Sequence, residues 1–290
     1  GFTIILSSLP LMDISFAETN EKVKEALEEV KDGIIENPDK YEYTTAMGLR
    51  LTGTNIDDIA GKALKYSYWP NTNTRAKDIM MAIAIGKDPK DYHDKNYVQE
   101  ILASNFYNEE NVEWLANAII ALDMAGAKYD EVKAINALIS KLDKNAGKYY
   151  IKNKNNNKPN TELTSLTLIA LSKHSDIDDV NTAIEGIKNY LKSIQDENGL
   201  IENCKNHSLA IQALIASGED IYSDEWVKQD ELGNTVTLLD ALLDLKVGSE
   251  FKVNPDNPYV KSGQEVYAFA ALVDLSTNKS MYHEIKYTGP

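Results

Sequence analysis

Residues 207–218 read His-Ser-Leu-Ala-Ile-Gln-Ala-Leu-Ile-Ala-Ser-Gly, and this stretch decides the fold. Small and apolar side chains occupy most of the surface of the helix that such a sequence forms, and Gly218 stands where a helix typically ends. A helix with so little polar surface is stable only when neighbours surround it on several sides. The stretch therefore predicts an inner helix of an all-helical protein.

Five further stretches share this composition, and they alternate with amphipathic, more charged stretches at a period of roughly 45 residues, which lies in the range of helical repeats. The small-residue helices are predicted at 44–53, 74–86, 112–126, 162–173 and 263–275. The amphipathic helices are predicted at 21–35, 56–66, 95–103, 129–142, 180–194 and 232–245. Because an amphipathic helix needs cover along only one stripe, this alternation indicates an α/α toroid of six inner and six outer helices around a central cavity. An open solenoid of helical hairpins, such as a tetratricopeptide array, is the alternative.

A motif at the end of the fifth amphipathic helix carries a family resemblance. Residues 190–200 read Tyr-Leu-Lys-Ser-Ile-Gln-Asp-Glu-Asn-Gly-Leu, with degenerate copies at 138–149 and 242–251. A helix that ends in Gln, followed by a turn with Gly, resembles the repeat of the prenyltransferase and squalene-cyclase superfamily of α/α toroids. Within that superfamily the chain is most similar to the helical domain of intrinsic factor and transcobalamin-like proteins. The resemblance implies a toroid over residues 18–290, with a corrinoid as one class of ligand.

Two catalytic activities of this superfamily have only partial counterparts in the sequence. The Asp-Ile-Asp-Asp sequence at 176–179 matches the acid motif of class II terpene cyclases, but it opens an outer helix. Acidic residues are expected there as helix caps and first-turn charges. Cys204 and His207 are spaced like part of a prenyltransferase zinc site, yet no fourth ligand is evident in the sequence. We therefore expect neither a metal nor a cofactor.

A carbohydrate-active enzyme, either a polysaccharide lyase or a glycosidase, is an alternative function, because such enzymes use paired carboxylates. Each candidate acid is explained equally well as a first-turn residue that the helix dipole favours. These acids stand near the predicted starts of the inner helices: Glu42, Glu109, Glu110, Glu113, Glu162, Glu202 and Glu265.

The segments that lead from outer to inner helices share Tyr, Trp and Asn. In a toroid these segments lie on one rim, where aromatic faces stack on a ligand and amides hydrogen-bond in both directions. Ordinary turn chemistry is the alternative explanation. Arg75 adds a positive charge to this rim, or else forms a structural ion pair with an acid such as Asp78. The predicted ligand-binding residues are Tyr43, Tyr68, Trp69, Asn71, Arg75, Tyr107, Tyr149, His207 and Tyr259.

Net charge and the N-terminal segment limit the partners and the location. A net charge of −15 disfavours nucleic acid, whose phosphates carry the same sign. Residues 4–12 form a short apolar run that Ser15-Phe16-Ala17 follows, which is typical of a secretory signal cleaved after Ala17. We expect residues 1–17 to be a truncated signal peptide. The domain 18–290 is then secreted or on the cell surface, without membrane insertion. A buried N-terminal helix is the alternative.

Together these features predict a non-catalytic protein that binds a glycan or a corrinoid-like small molecule at the aromatic rim. The prediction of the fold rests on the repeat pattern, whereas the prediction of function rests on loop composition. A structural or adhesion module is a further alternative beside the carbohydrate-active enzyme. The sequence leaves open whether further domains or the cell wall are additional partners.

Overall fold

The helices follow the predicted alternation. A computed structural model of the protein describes residues 16–36, 39–66, 69–257, 259–261 and 263–289. Its helices are α1 (Phe16–Glu36), α2 (Tyr43–Leu51), α3 (Ile56–Lys62), α4 (Thr72–Ala84), α5 (Tyr97–Ala103), α6 (Val112–Met124), α7 (Glu131–Ile139), α8 (Thr161–Leu171), α9 (Val180–Ile194), α10 (Cys204–Ala216), α11 (Leu238–Leu243), α12 (Gln264–Thr277) and α13 (Met281–Glu284). The even-numbered helices up to α12 coincide with the small-residue stretches, and the odd-numbered ones up to α11 with the amphipathic stretches.

The small-residue helices form a closed inner ring. Helix α2 packs on α4, α4 on α6, α6 on α8, α8 on α10 and α10 on α12, and α12 returns to pack on α2. Gly48 on α2 permits this last approach, because a Cβ atom there would lie 2.6 Å from the ring of Phe269 on α12. The predicted all-α toroid is confirmed, and the contact between α12 and α2 excludes the open solenoid.

Each outer helix packs against the inner helix that precedes it in the chain. Helix α3 lies on α2, α5 on α4, α7 on α6, α9 on α8 and α11 on α10, while α1 lies on α12. The first helix of the chain therefore takes the place that follows the last inner helix, and it covers the seam of the ring. Ion pairs also join α1 to the preceding outer segment: Lys22 pairs with Asp240 on α11, and Glu29 pairs with Lys246 just after α11.

Burial follows from the two helix types. Residues 115–122 of α6 are all buried, because an inner helix has neighbours on both sides and the outer layer behind it. In the outer helix α9 only one stripe is buried, which includes Val180, Ile187 and Leu191. Burying one such aliphatic side chain fully stabilises the fold by about 1.5–3 kcal/mol. In the described part of the chain, no helix has both the length and the apolar character that crossing a bilayer requires.

Short antiparallel hairpins lie in the loops beside the later outer helices. Strand β1 (Asp143–Asn145) pairs with β2 (Lys148–Tyr150), β3 (Lys228–Gln229) with β4 (Thr235–Val236), and β5 (Lys246–Val247) with β6 (Glu250–Phe251). The degenerate repeat copies at 138–149 and 242–251 begin at the ends of α7 and α11 and run into the first and third hairpins. In the best copy, the buried Gln195 side chain donates hydrogen bonds to the carbonyls of Gly199 and Trp226. The Gln of the repeat therefore ties an outer helix to the loops that follow it.

The sixth outer helix is shorter than the predicted span 232–245, since α11 begins at Leu238. The Asp230 carboxylate accepts hydrogen bonds from the N–H groups of Leu232 and Asn234, and these bonds hold a turn between β3 and β4. A capping box that involves Thr237 then starts the helix. Polar side chains that bond to nearby backbone groups therefore override the apolar pattern in this segment.

The last helix closes one end of the inner ring. Helix α13 contacts both α2 and α6. The N–H of Met281 donates to the buried carboxylate of Asp274 (2.9 Å), and the Oγ of Ser172, just after α8, lies 2.8 Å from the Nε2 of His283. These contacts place α13 at the end of the ring where the inner helices finish. We call this end the closed end, and the end where the inner helices begin the mouth.

Candidate functional site

Tyr43 marks the centre of the ring. It is the first residue of α2, and its hydroxyl shares a hydrogen bond with the hydroxyl of Tyr282 on α13. Burial raises the pKa of Tyr43, and the charges of nearby carboxylates, among them Glu113 on α6 and Glu162 on α8, raise it further. Its hydrogen bond to Tyr282 turns the Tyr43 side chain from the start of α2 toward the last helix, inside the ring. The Tyr43–Tyr282 pair therefore forms a floor between the mouth and the closed end.

A lysine, a glutamate and a tyrosine from three successive inner helices meet at the mouth. The Nζ of Lys205 on α10 lies 2.8 Å from the Oε1 of Glu162 on α8 and 5.1 Å from the ring centroid of Tyr267 on α12. The Lys205 and Glu162 side chains are partly exposed, at 32% and 41%. Burial disfavours the charged form of Lys205, but the hydrogen bond and charge of Glu162 outweigh burial and raise the lysine pKa.

A second group of the same composition lies on the other side of α2. The Nζ of Lys77 on α4 is 4.0 Å from the Oε1 of Glu113 on α6 and 5.6 Å from the ring centroid of Tyr66. Burial raises the pKa of Tyr66, the negative charge of Glu42 raises it further, and an interaction with the Tyr43 backbone acts in the opposite direction, so Tyr66 lies close to the floor. We call the two sets the Lys–Glu–Tyr groups: Lys205–Glu162–Tyr267 and Lys77–Glu113–Tyr66.

Helix caps explain why the two glutamates stand at the mouth. Asn111 and Asn160 cap α6 and α8, and each side chain accepts a hydrogen bond from the backbone N–H three residues further on. Glu113 and Glu162 consequently fall in the first helical turn, where the helix dipole favours a negative charge. A lysine on the neighbouring inner helix completes each pair.

The predicted rim aromatics have different positions. Trp69 and Tyr259 lie in the loops that lead into α4 and α12, with 81% and 76% of their surfaces exposed. Tyr43 belongs to the floor, and Tyr68 lies outside the described residues. Asn71 caps α4 with both atoms of its amide, accepting from a backbone N–H of the first turn and donating to the Trp69 carbonyl. Trp69 and Tyr259 therefore have side chains free for a ligand, whereas the Asn71 amide already has partners.

Arg75 is a buried structural cation. Its Nη1 lies 3.1 Å from the Oδ2 of Asp78, its Nε pairs with Glu100, and its guanidinium lies 4.8 Å from the ring centroid of Tyr97. Burial raises the pKa of Asp78 to about 6, while the hydrogen bond from Arg75 acts in the opposite direction. Because two carboxylates neutralise the guanidinium, the structural ion pair describes Arg75 better than a ligand contact.

Tyr107 and Tyr149 lie on the outer wall and not at the mouth. The Tyr107 hydroxyl accepts a hydrogen bond from the N–H of Asp130 at the start of α7 (2.9 Å). Tyr149 in β2 packs on Gly186 of α9, where a Cβ atom would overlap the tyrosine ring. The loop after α5 and the β1–β2 hairpin fold over the outer layer, so the predicted rim position of these two tyrosines is corrected.

The predicted position of His207 among the ligand-binding residues is also corrected. Its side chain is buried, and both ring nitrogens have partners within the protein. Its Nδ1 accepts a hydrogen bond from the N–H of Ile201 (3.0 Å), and its Nε2 lies 2.8 Å from the carbonyl of Leu238. Burial lowers the pKa of His207 to about 4 and raises the pKa of the neighbouring Cys204 thiol to about 12. Within the described residues, no group of His, Cys, Asp and Glu is arranged to hold a metal ion.

The candidate catalytic acids separate into two sets. Glu113 and Glu162 lie close to the floor, each beside a lysine. Glu202 accepts a hydrogen bond from a threonine hydroxyl on α8, while Glu109 and Glu265 accept from backbone N–H groups two residues away. Glu42, which precedes α2, also lies near Tyr43, while Glu110 pairs with Lys141 of the loop after α7. Glu42, Glu113 and Glu162 are therefore the candidate acids nearest the floor.

The mouth lysines and Tyr282 are not among the residues that the sequence singles out. Lys77 and Lys205 stand within the first two turns of small-residue helices. Their position near the start of an inner helix could have identified them, because the first turns of all inner helices lie at the mouth. Tyr282 follows the last predicted helix, and no periodicity places that segment against the ring.

Comparisons with known proteins bear on the fold. No protein-family model matches the chain, and no curated protein matches it. Among solved structures, the chain is similar to haptocorrin in complex with Cbi, with a TM-score of 0.56 and 16% sequence identity. The match covers 94% of this chain and 70% of the haptocorrin chain. What the two proteins share is the helical fold.

Proposed function

We propose that this protein is a secreted or cell-surface, non-catalytic binding protein that takes up a small molecule at the mouth of the toroid. The ligand in this proposal has a flat ring and polar groups around its edge. A corrinoid is the first candidate, supported by the likeness to the haptocorrin complex with Cbi, cobinamide. A glycan, which stacks on aromatic rings in the same way, is the second.

The asymmetry between the two ends of the ring carries the proposal. Helix α13 fills the closed end with the chain's own residues. The mouth instead presents partly exposed charged and aromatic side chains above the Tyr43–Tyr282 floor. Aromatic side chains next to a few convergent polar groups are typical of small-molecule binding sites.

The ion pairs at the mouth favour binding over catalysis. A glycosidase uses one protonated carboxylic acid together with a second, separate carboxylate. Glu113 and Glu162 instead each form an ion pair with a lysine. Such pairs position hydrogen-bond donors and acceptors but offer no free acid for proton transfer.

The proposed secretion depends on residues 1–17. The buried side chains of α1, from Val23 to Ile34, all lie within the domain that cleavage after Ala17 would leave. We expect the protein recovered from its native host to begin at or near Glu18. Mass-spectrometric detection of residues 4–12 in the mature form would contradict this.

Titration with cobinamide tests the binding proposal. Absorbance of the corrin ring and intrinsic tryptophan fluorescence report on binding, since Trp114 stands at the start of α6. Tyr267→Ala removes an aromatic ring at the mouth. Tyr287→Ala is the matched control, because Tyr287 lies near the closed end with its side chain bonded to Asp88. We expect saturable binding that is about tenfold weaker in Tyr267→Ala and unchanged in Tyr287→Ala.

Other outcomes separate the alternatives. Binding of a glycan but not of cobinamide selects the second candidate ligand. A protein that binds neither favours the structural or adhesion module, and product release from a polysaccharide favours the carbohydrate-active enzyme. Equal weakening by both tyrosine variants would place the binding site away from the mouth.

A further inference from the structure

We infer that the mouth selects neutral groups that both donate and accept hydrogen bonds, amides above all, and discriminates against carboxylates. This inference rests on the proposed function and specifies the chemical class of the ligand. It comes from the two Lys–Glu–Tyr groups.

Each Lys–Glu–Tyr group has no net charge and offers both kinds of hydrogen bond. The Lys205 ammonium carries three N–H bonds, and in this structure it contacts Glu162 and Tyr267. The Glu162 carboxylate has about four acceptor positions, of which Lys205 uses one. Because both side chains are partly exposed, donor and acceptor positions are left for a ligand.

A primary amide fits such an ion pair with both of its polar atoms. Its oxygen accepts from the ammonium while its N–H₂ group donates to the carboxylate, so the ion pair stays intact. A carboxylate on the ligand has no hydrogen to donate, and it meets the negative charge of Glu162 next to the lysine. Like charges brought together in a partly desolvated site are costly, and the chain's net charge of −15 adds to the repulsion.

The two groups lie on either side of the floor. One group lies on α8, α10 and α12 and the other on α4, α6 and the segment before α4, so the two occupy opposite halves of the ring. A flat ring with several amides around its edge contacts both groups at once. A small molecule with a single amide contacts only one of them and gains less affinity.

Paired titrations of the full chain test the inference. The probes are cobinamide and the same corrin with its side-chain amides hydrolysed to carboxylates, at neutral pH and low salt. We expect cobinamide to bind at least about tenfold more tightly. Glu162→Gln removes one repelling charge, so this preference should fall to about threefold or less, with the helical circular dichroism signal retained.

A matched control comes from the outer wall. Lys192 pairs with Glu225 and lies 5.6 Å from the ring centroid of Trp226, which gives a lysine–glutamate pair beside an aromatic ring away from the mouth. Glu225→Gln should therefore leave the preference unchanged.

Three results would overturn the inference. Equal or tighter binding of the hydrolysed corrin overturns the amide preference while the proposed function stands. A full preference in Glu162→Gln places the selectivity outside this group. Absence of binding by both corrins overturns the inference together with the corrinoid form of the proposed function.

Discussion

The two ends of the inner ring use similar residue types in opposite ways. At the mouth, charged side chains are partly exposed and pair between neighbouring helices, as Lys205 does with Glu162. At the closed end, polar side chains are buried and bond to the last helix of the same chain, as Asp274 does with the N–H of Met281. Both ends belong to one ring of small-residue helices, so the difference arises from what covers each end.

Residues at the closed end should therefore determine the stability of the fold, and residues at the mouth should determine ligand binding. Burial raises the pKa of Asp274 well above its ordinary range, and its hydrogen bonds from Met281 and Gln212 compensate in part for that burial. Partly exposed ion pairs such as those at the mouth contribute only about 0–1 kcal/mol to folding. Substitutions at the closed end should therefore change the free energy of unfolding, and substitutions at the mouth should change ligand affinity.

The largest effect is expected for Tyr282→Ala at the closed end. Tyr282 is buried and forms the floor with Tyr43, so truncation leaves a cavity and should lower the free energy of unfolding by about 3–5 kcal/mol. Tyr267→Ala, which truncates a half-buried ring at the mouth, should cost about 1 kcal/mol or less. Urea unfolding followed by circular dichroism measures both. Equal losses would contradict the separation of the two ends.

Acid should destabilise the protein through buried histidines at both ends. Burial lowers the pKa of His207 near the mouth and of His283 at the closed end to about 4. Between pH 6.5 and 4 the unfolded chain binds protons that the folded chain does not. Stability present above pH 6.5 is therefore lost as the pH falls, by on the order of 2 kcal/mol per histidine.

The variant His283→Gln measures how much of the acid-induced loss of stability comes from the closed end. Urea midpoints at pH 7 and pH 4.5 should differ less in this variant than in the wild type, because His207 alone then remains of the two. An unchanged pH dependence would show that His283 is not held neutral in the folded protein.

A smaller effect, on binding alone, is expected for Trp69→Ala. Its exposed indole should contribute about 1–3 kcal/mol to ligand affinity if it anchors the ring of the ligand, with no change in unfolding. Leu232→Ala on the exposed β3–β4 loop is the control, because it removes another exposed apolar side chain. A tryptophan such as Trp226 is unsuitable, since it is fully buried and its Nε1–H donates to Glu219. Ligand titration that shows no difference between these two variants would remove Trp69 from the site.

The smallest effect is expected for Asp178→Asn. The sequence predicts a capping role for the acidic cluster at 176–179, but the residue at the cap position of α9, Asp179, makes no side-chain capping bond. Asp178 itself is exposed. We therefore expect a change of less than about 0.5 kcal/mol in unfolding and none in ligand binding. A loss of binding would show that the outer acidic cluster takes part in function.

The ring was predictable from the sequence because helix type alternates strictly along it. Small side chains identify inner helices such as α10 in the sequence, and an Asn just before the small-residue stretch marks where such a helix begins. The site was less predictable, because loop composition does not say where a loop folds. Tyr149 shares its type with Tyr43, yet the β1–β2 hairpin carries it to the outer wall while α2 holds Tyr43 at the centre. Pairs such as Lys77–Glu113 depend on which helices are neighbours, and only the closed ring decides that.

Hydrogen exchange measured by mass spectrometry, with and without saturating cobinamide, tests the central claim most directly. If the mouth binds the ligand, exchange should slow in the first turns of the inner helices, within 41–46, 110–117, 160–167 and 203–209. Exchange at the closed end, within 280–287, should stay the same. Slowing confined to 280–287, or slowing spread evenly over the ring, would contradict the assignment of the mouth as the binding site.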